Sequence, residues 1–190
     1  MRSAQVSLVP RFLFSVGLIL GFAPAWGATL EYLTLNNLIA KSTAIVEGTV
    51  TSSSASYTNG VIYTHYQIAV QQQWTGSAQT SIDVLVPGGT VKGIRQTFPG
   101  TPQLIPGRQY VLFLWTSSKN LTFPLGFTQG IFNLVSGSSG TIAAQMPTTE
   151  TMLSQQTGHA VNNQPISMPL AQLVAEIHSA STQSGGGTKQ

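Results

Sequence analysis

Apolar and polar positions change their period several times along the chain, and each change marks a predicted element. Residues 12–23 are an almost unbroken apolar run, Phe12-Leu13-Phe14-Ser15-Val16-Gly17-Leu18-Ile19-Leu20-Gly21-Phe22-Ala23. A bilayer-spanning helix needs about 20 such residues, so this run is short for a permanent anchor. Arg2 and Arg11 precede it with no acidic residue between them, and Pro24 and the small residues of Ala25-Trp26-Gly27 follow it. A charged start, an apolar middle and a small-residue end predict a secretory signal peptide over residues 1–27, cleaved between 25 and 28. The expected location is periplasmic or secreted, without stable membrane insertion after cleavage.

Beyond that point Leu35, Leu38 and Ile39 share one face of a short N-terminal helix, with Thr34 as its N-cap. From Ile45 to Thr51 the β-branched residues predict a strand, and Ser52 to Gly60 reads as a polar loop ending in the Asn59-Gly60 turn signal. Val61 to Trp74 alternates as a long strand, with Ile62, Tyr66, Ile68 and Val70 as its more apolar set. In Ser81 to Val86 the residues Ile82, Val84 and Val86 face one way and Asp83 the other. Val91 to Phe98 is a weaker strand, whereas Gln109 to Trp115 is apolar on both faces and predicts a central one. Shorter candidates lie at Leu121–Phe127, Ile131–Val135 and Thr141–Ala144. Short strands at this spacing predict a mainly β fold, a small OB-like barrel or a β-sandwich.

Residues 146–166, rich in Thr, Gln and Asn, predict a surface excursion. Leu170, Leu173, Val174 and Ile177 then form the stripe of a C-terminal amphipathic helix over residues 169–178. Residues 180–190 hold little to bury and read as a disordered tail, so the chain divides into a signal peptide, a single β-rich domain over 28–179, and that tail.

Charge changes the picture once the signal is removed. The whole chain has eight Lys/Arg against five Asp/Glu, but Arg2 and Arg11 leave with the signal and the remainder is nearly neutral. Its basic residues, Lys41, Lys92, Arg95, Arg108, Lys119 and Lys189, are scattered rather than clustered. Nucleic-acid binding needs a dense basic face, so that function class is excluded. The chain has no cysteine, which removes disulfides, thiolate metal sites and thiol chemistry together.

The succession Ile45-Val46-Glu47-Gly48-Thr49-Val50, then Trp74-Thr75-Gly76, Ile82-Asp83-Val84 and Pro106-Gly107-Arg108-Gln109-Tyr110-Val111-Leu112-Phe113 resembles netrin-like modules and tissue inhibitors of metalloproteinases. The chain is also similar to uncharacterised exported bacterial proteins of this size. The resemblance covers residues 44–116 and implies an OB-type barrel used as a platform for binding partners. Those inhibitors chelate the target's zinc through an amino-terminal cysteine, and neither Ala28 nor any other residue here supplies a thiolate.

Candidate chemistry is thin. The histidines His65, His159 and His178 fall in a strand, a loop and a helix with no short metal-ligand spacing, so no metal and no cofactor are expected. His65 reads as a strand-surface histidine. There is no Gly-x-Ser-x-Gly in a strand-to-helix context, and of the acids only Glu47 and Asp83 lie in the predicted barrel. Exposed aromatic groups are the remaining lead. Tyr63 on the poorer face of its strand, Arg95 beside the Gly-rich loop and Trp115 at a strand end form the predicted binding face. The expected function is therefore an exported, non-enzymatic β-barrel binding a protein or peptide partner, with a protease as one candidate partner. Alternatives are a carbohydrate or small-ligand binder, and a hydrolase with an unrecognised site. A cleft that brings Glu47, Asp83 and a histidine together would favour the hydrolase.

Overall fold

Two antiparallel strands of unusual length organise the molecule, whose computed structural model describes residues 29–138, 140–162 and 164–185. The predicted signal peptide and residues 186–190 lie outside the described residues. Strand β1 (Thr29–Glu31) leads into helix α1 (Leu35–Lys41), where Thr34 Oγ1 accepts the backbone N–H of Asn37 and so caps the first turn. Strands β2 (Ala44–Thr58) and β3 (Val61–Thr75) then form a hairpin of fifteen residues on each side. Its two-residue turn is Asn59-Gly60, both at positive φ, the geometry whose twist matches that of paired strands.

Here the structure corrects the sequence reading, because Ser52 to Thr58 is strand and not loop. The stretch is polar on both faces and carries no hydrophobic alternation, yet it pairs residue by residue with β3, from Ser52 opposite Gln67 to Thr58 opposite Val61. Cross-strand partners, not local pattern, hold it extended.

Strand β4 (Ser81–Pro87) continues the sheet on the far side of β3. The expected strand Val91–Phe98 is instead a small hairpin of β5 (Gly89–Val91) and β6 (Ile94–Gln96), turned at Lys92-Gly93 with both residues at positive φ. Strand β7 (Gln109–Thr116) pairs along β2, and β8 (Thr122–Pro124) bridges β7 to β4. The order β2-β3-β4-β8-β7 thus returns to β2 and closes a five-stranded, barrel-like ring. Its closure is thin, since β8 lies parallel to β4 at a single residue pair, Val84 opposite Thr122. Inside the ring, Val50, Ile68, Val84, Tyr110, Leu112 and Leu114 form a buried cluster.

The sheet then continues beyond the ring. Strand β9 (Ile131–Gly137) pairs with the first half of β7, and β10 (Gly140–Gln145) and β12 (Ser167–Pro169) follow in order. Strand β11 (Thr151–Leu153) lies parallel to β1, so the predicted excursion of residues 146–166 is tied back to the start of the domain. Helix α2 spans Leu170–Gly185, which places residues 180–185 in a helix where the sequence predicted tail. Leu173 and Ile177 of α2 and Leu38 and Ile39 of α1 bury against the outer face of β7, on Val111 and Phe113. Strand β7 is therefore covered on both faces, by the ring interior and by a helical layer, which is why its residues show no alternation.

Gly130 ends a 3-10 turn at Phe127–Gly130, and a side chain there has no room. A Cβ would sit 2.4 Å from the Leu125 carbonyl oxygen and 2.9 Å from that of Phe113. Both obstacles are backbone and cannot rotate away. Gly130→Ala is expected to cost about 2 kcal/mol, read as a lower midpoint in urea with an unchanged slope. A midpoint equal to that of the wild type would contradict this packing.

Candidate functional site

The thin closure of the ring opens an apolar groove on the surface. Past Val84 the strands β4 and β8 part, and a groove of about 470 Å3 opens between them. Leu85, Val86 and Pro87 line it from β4, and Phe123, Pro124 and Leu125 from β8 and the segment after it. Leu30 and Leu33 close one end, and Trp115 stands at the edge with 44% of its surface exposed. An indole that exposed, beside an apolar groove, is a surface that contact with a partner would cover.

Two of the three residues of the predicted binding face come together here. The ring centroid of Phe123 lies 6.2 Å from that of Tyr63 and 6.2 Å from that of Trp115, within the range of aromatic contact. Tyr63, Phe123 and Trp115 thus form a row from the face of β3 to the groove. Arg95 does not join them. It is exposed on β6, opposite Thr90, and is not among the residues that line the groove.

Polar groups at the groove are already committed. Lys41 Nζ and Glu31 Oε1 are 2.8 Å apart and pair with each other. Gln129, buried in the 3-10 turn, accepts the Leu33 N–H at 2.8 Å through Oε1 and donates to the Glu31 carbonyl at 2.9 Å through Nε2. One amide thereby ties the strand-like segment Glu31–Leu33 to the wall of the groove and leaves nothing for a ligand.

A second arrangement lies on the same outer face, and the sequence did not expose it. On β3, Tyr63 and His65 point to one side, since alternate residues of a strand share a face. Ser56 sits opposite Tyr63 in the hairpin, diagonal to His65, and its Oγ lies 2.7 Å from His65 Nε2. The other ring nitrogen, Nδ1, is 2.8 Å from Asp83 Oδ2 on β4. An ionised carboxylate only accepts hydrogen bonds, so Nδ1 carries the proton, and in the neutral ring Nε2 accepts from the Ser56 hydroxyl. Asp83 Oδ1 is buried and has no partner among the described residues. His65 is therefore more than the surface histidine that the sequence suggested.

Glu47 takes no part. Its Oε1, on β2, accepts from Gln109 Nε2 of β7 at 2.7 Å, and partial burial raises the carboxyl above the usual range. Among the described residues no three His, Asp or Glu side chains stand together as a metal site would require, and no helix is long and apolar enough to cross a membrane. The signal that could have found Ser56 was the alternation of serines with the strand that follows the turn. It becomes visible only once residues 52–58 are known to be paired. No protein-family model matches the chain, and no curated protein or solved structure matches it.

Proposed function

We propose that the protein is an exported module that binds an extended apolar peptide segment of a protein partner, by adding it along the free part of β4 and seating an aromatic or branched side chain in the groove. The observation that carries this reading is the parting of β4 and β8 after a single paired residue, above a groove lined by Leu85, Pro87, Phe123 and Leu125. An unpaired strand edge supplies backbone donors and acceptors for a peptide, and an adjacent apolar recess selects its side chains. This keeps from the netrin-like resemblance only the use of a barrel as a binding platform.

A sugar would need several free hydrogen-bonding groups beside the aromatic rings. Here the amide of Gln129 is spent on backbone, and the exposed Glu31–Lys41 pair is the one charged group among the groove's lining residues. The aromatic row therefore favours an apolar peptide over a glycan.

Selection from a random peptide library on the purified protein tests the reading. Enriched sequences are expected to share an aromatic or branched aliphatic anchor within an extended segment. Trp115→Ala should then weaken binding of a selected, labelled peptide by about tenfold or more, as for an aromatic anchor that a bound partner covers. No enrichment, or equal anisotropy titrations for Trp115→Ala and wild type, would contradict it.

A further inference from the structure

We infer that Ser56, His65 and Asp83 form a nucleophilic site that hydrolyses esters with an apolar acyl chain. The argument is independent of the peptide reading and starts from the three side chains. A serine hydroxyl is a weak nucleophile unless a base within hydrogen-bond reach takes its proton, with that base held by a third group. The distances of 2.7 Å from Ser56 Oγ to His65 Nε2 and 2.8 Å from His65 Nδ1 to Asp83 Oδ2 meet both conditions. Three neighbouring strands supply one residue each, and the side chains are held by sheet registers rather than by a mobile loop.

The environment of Asp83 distinguishes this chain from an ordinary surface hydrogen-bond chain. Its Oδ1 is buried without a partner among the described residues, although 39% of the side chain is exposed, so the one hydrogen bond this carboxylate makes is the one to His65. Its Oδ2 faces the imidazole Nδ1 at 2.8 Å, and a carboxylate there favours the imidazolium that forms when His65 takes a proton.

The step balances with water as the only co-reactant. Ser56 Oγ attacks the ester carbonyl carbon and its proton passes to His65 Nε2. The bond to the leaving alkoxide breaks as His65 returns that proton to it, and an acyl-Ser56 ester remains. Water then attacks the acyl carbon, giving its proton to His65 Nε2. The carboxylic acid departs and Ser56 Oγ recovers the proton. Asp83 acts through His65 and is a positioning residue.

The same face indicates the substrate class. Ser56 is the direct cross-strand neighbour of Tyr63, and from Tyr63 the aromatic row runs over Phe123 to Trp115 and the apolar groove. An acyl chain attached at Ser56 has that row to lie on.

Hydrolysis of p-nitrophenyl butyrate and labelling by a fluorophosphonate test the inference, because both report on an activated serine. Wild-type protein is expected to gain one phosphonyl adduct that maps to Ser56, and to hydrolyse the ester. Ser56→Ala and His65→Gln should each lower kcat by roughly a hundredfold or more while circular dichroism stays unchanged. Asp83→Asn should lower kcat and leave KM in place, a split that a merely structural role would not produce. An adduct on another serine, absence of labelling, or equal rates in wild type and Ser56→Ala would overturn it. Since the peptide reading is read out by selection and peptide binding and this one by the Ser56 adduct and ester hydrolysis, either can fail without the other.

Discussion

Replacing Phe113 by alanine is expected to lower the stability of the protein by about 3–5 kcal/mol. Phe113 is fully buried in the middle of β7, with its ring centroid 5.4 Å from that of Phe132 on β9. On the other side it meets the cluster that contains Leu38 of α1 and Leu173 and Ile177 of α2. Truncation leaves a hole that β7 cannot close, because β2 holds it on one edge while β8 and β9 share the other. The loss therefore includes both the transfer of the ring and the cavity left behind. At about 3 °C for each kcal/mol in a domain of this size, the thermal midpoint should fall by more than 9 °C. A fall of less than 3 °C would mean that the helical layer is not seated on β7 as described.

Gln129→Ala is expected to cost about 3 kcal/mol and, unlike Phe113→Ala, to act on the groove as well. The side chain is 2% exposed and satisfies the Leu33 N–H and the Glu31 carbonyl at once. Alanine removes these two bonds and a longer one from Nε2 to the Gly126 carbonyl, and it orphans a buried donor, which dominates the cost. Leu30 and Leu33 wall one end of the groove, so loosening them should also weaken a groove-bound peptide. Hydrogen exchange provides the check. Protection should drop at Tyr32 and Leu33 while the β2–β3 ladder keeps its own; uniform loss across both would refute a local clasp.

These two residues also mark the limit of what local pattern conveys. Phe113 belongs to a run of apolar residues whose two-sided burial is readable from the run itself, and Ile82, Val84 and Val86 likewise announce the buried face of β4. Gln129 gives no such signal. Its role depends on Leu33, 96 residues earlier, arriving within 2.8 Å. Tyr63 and Trp115 were recognisable as aromatic groups on strand faces, but Phe123, which joins them, was one more apolar residue in a short strand. Arg95 stood near the others only along the chain, and the β5–β6 hairpin carries it elsewhere.

Local pattern settled the positions of the longer strands and of the helices' apolar stripes, because period-2 alternation and glycine turns are local consequences of backbone geometry. The Asn59-Gly60 turn and the apolar set of β3 belong to that class. The three-dimensional assembly alone made Ser52 to Thr58 a strand, since five Ser/Thr with Ala55 and Tyr57 offset the entropy of extension only against a partner. It also decided the register. A slip of one residue would turn Ser56 to the opposite face of the sheet, away from His65. The ring closure and the groove follow in the same way from where β8 meets β4, at Val84 and Thr122, a contact between segments far apart in the chain that no local pattern encodes.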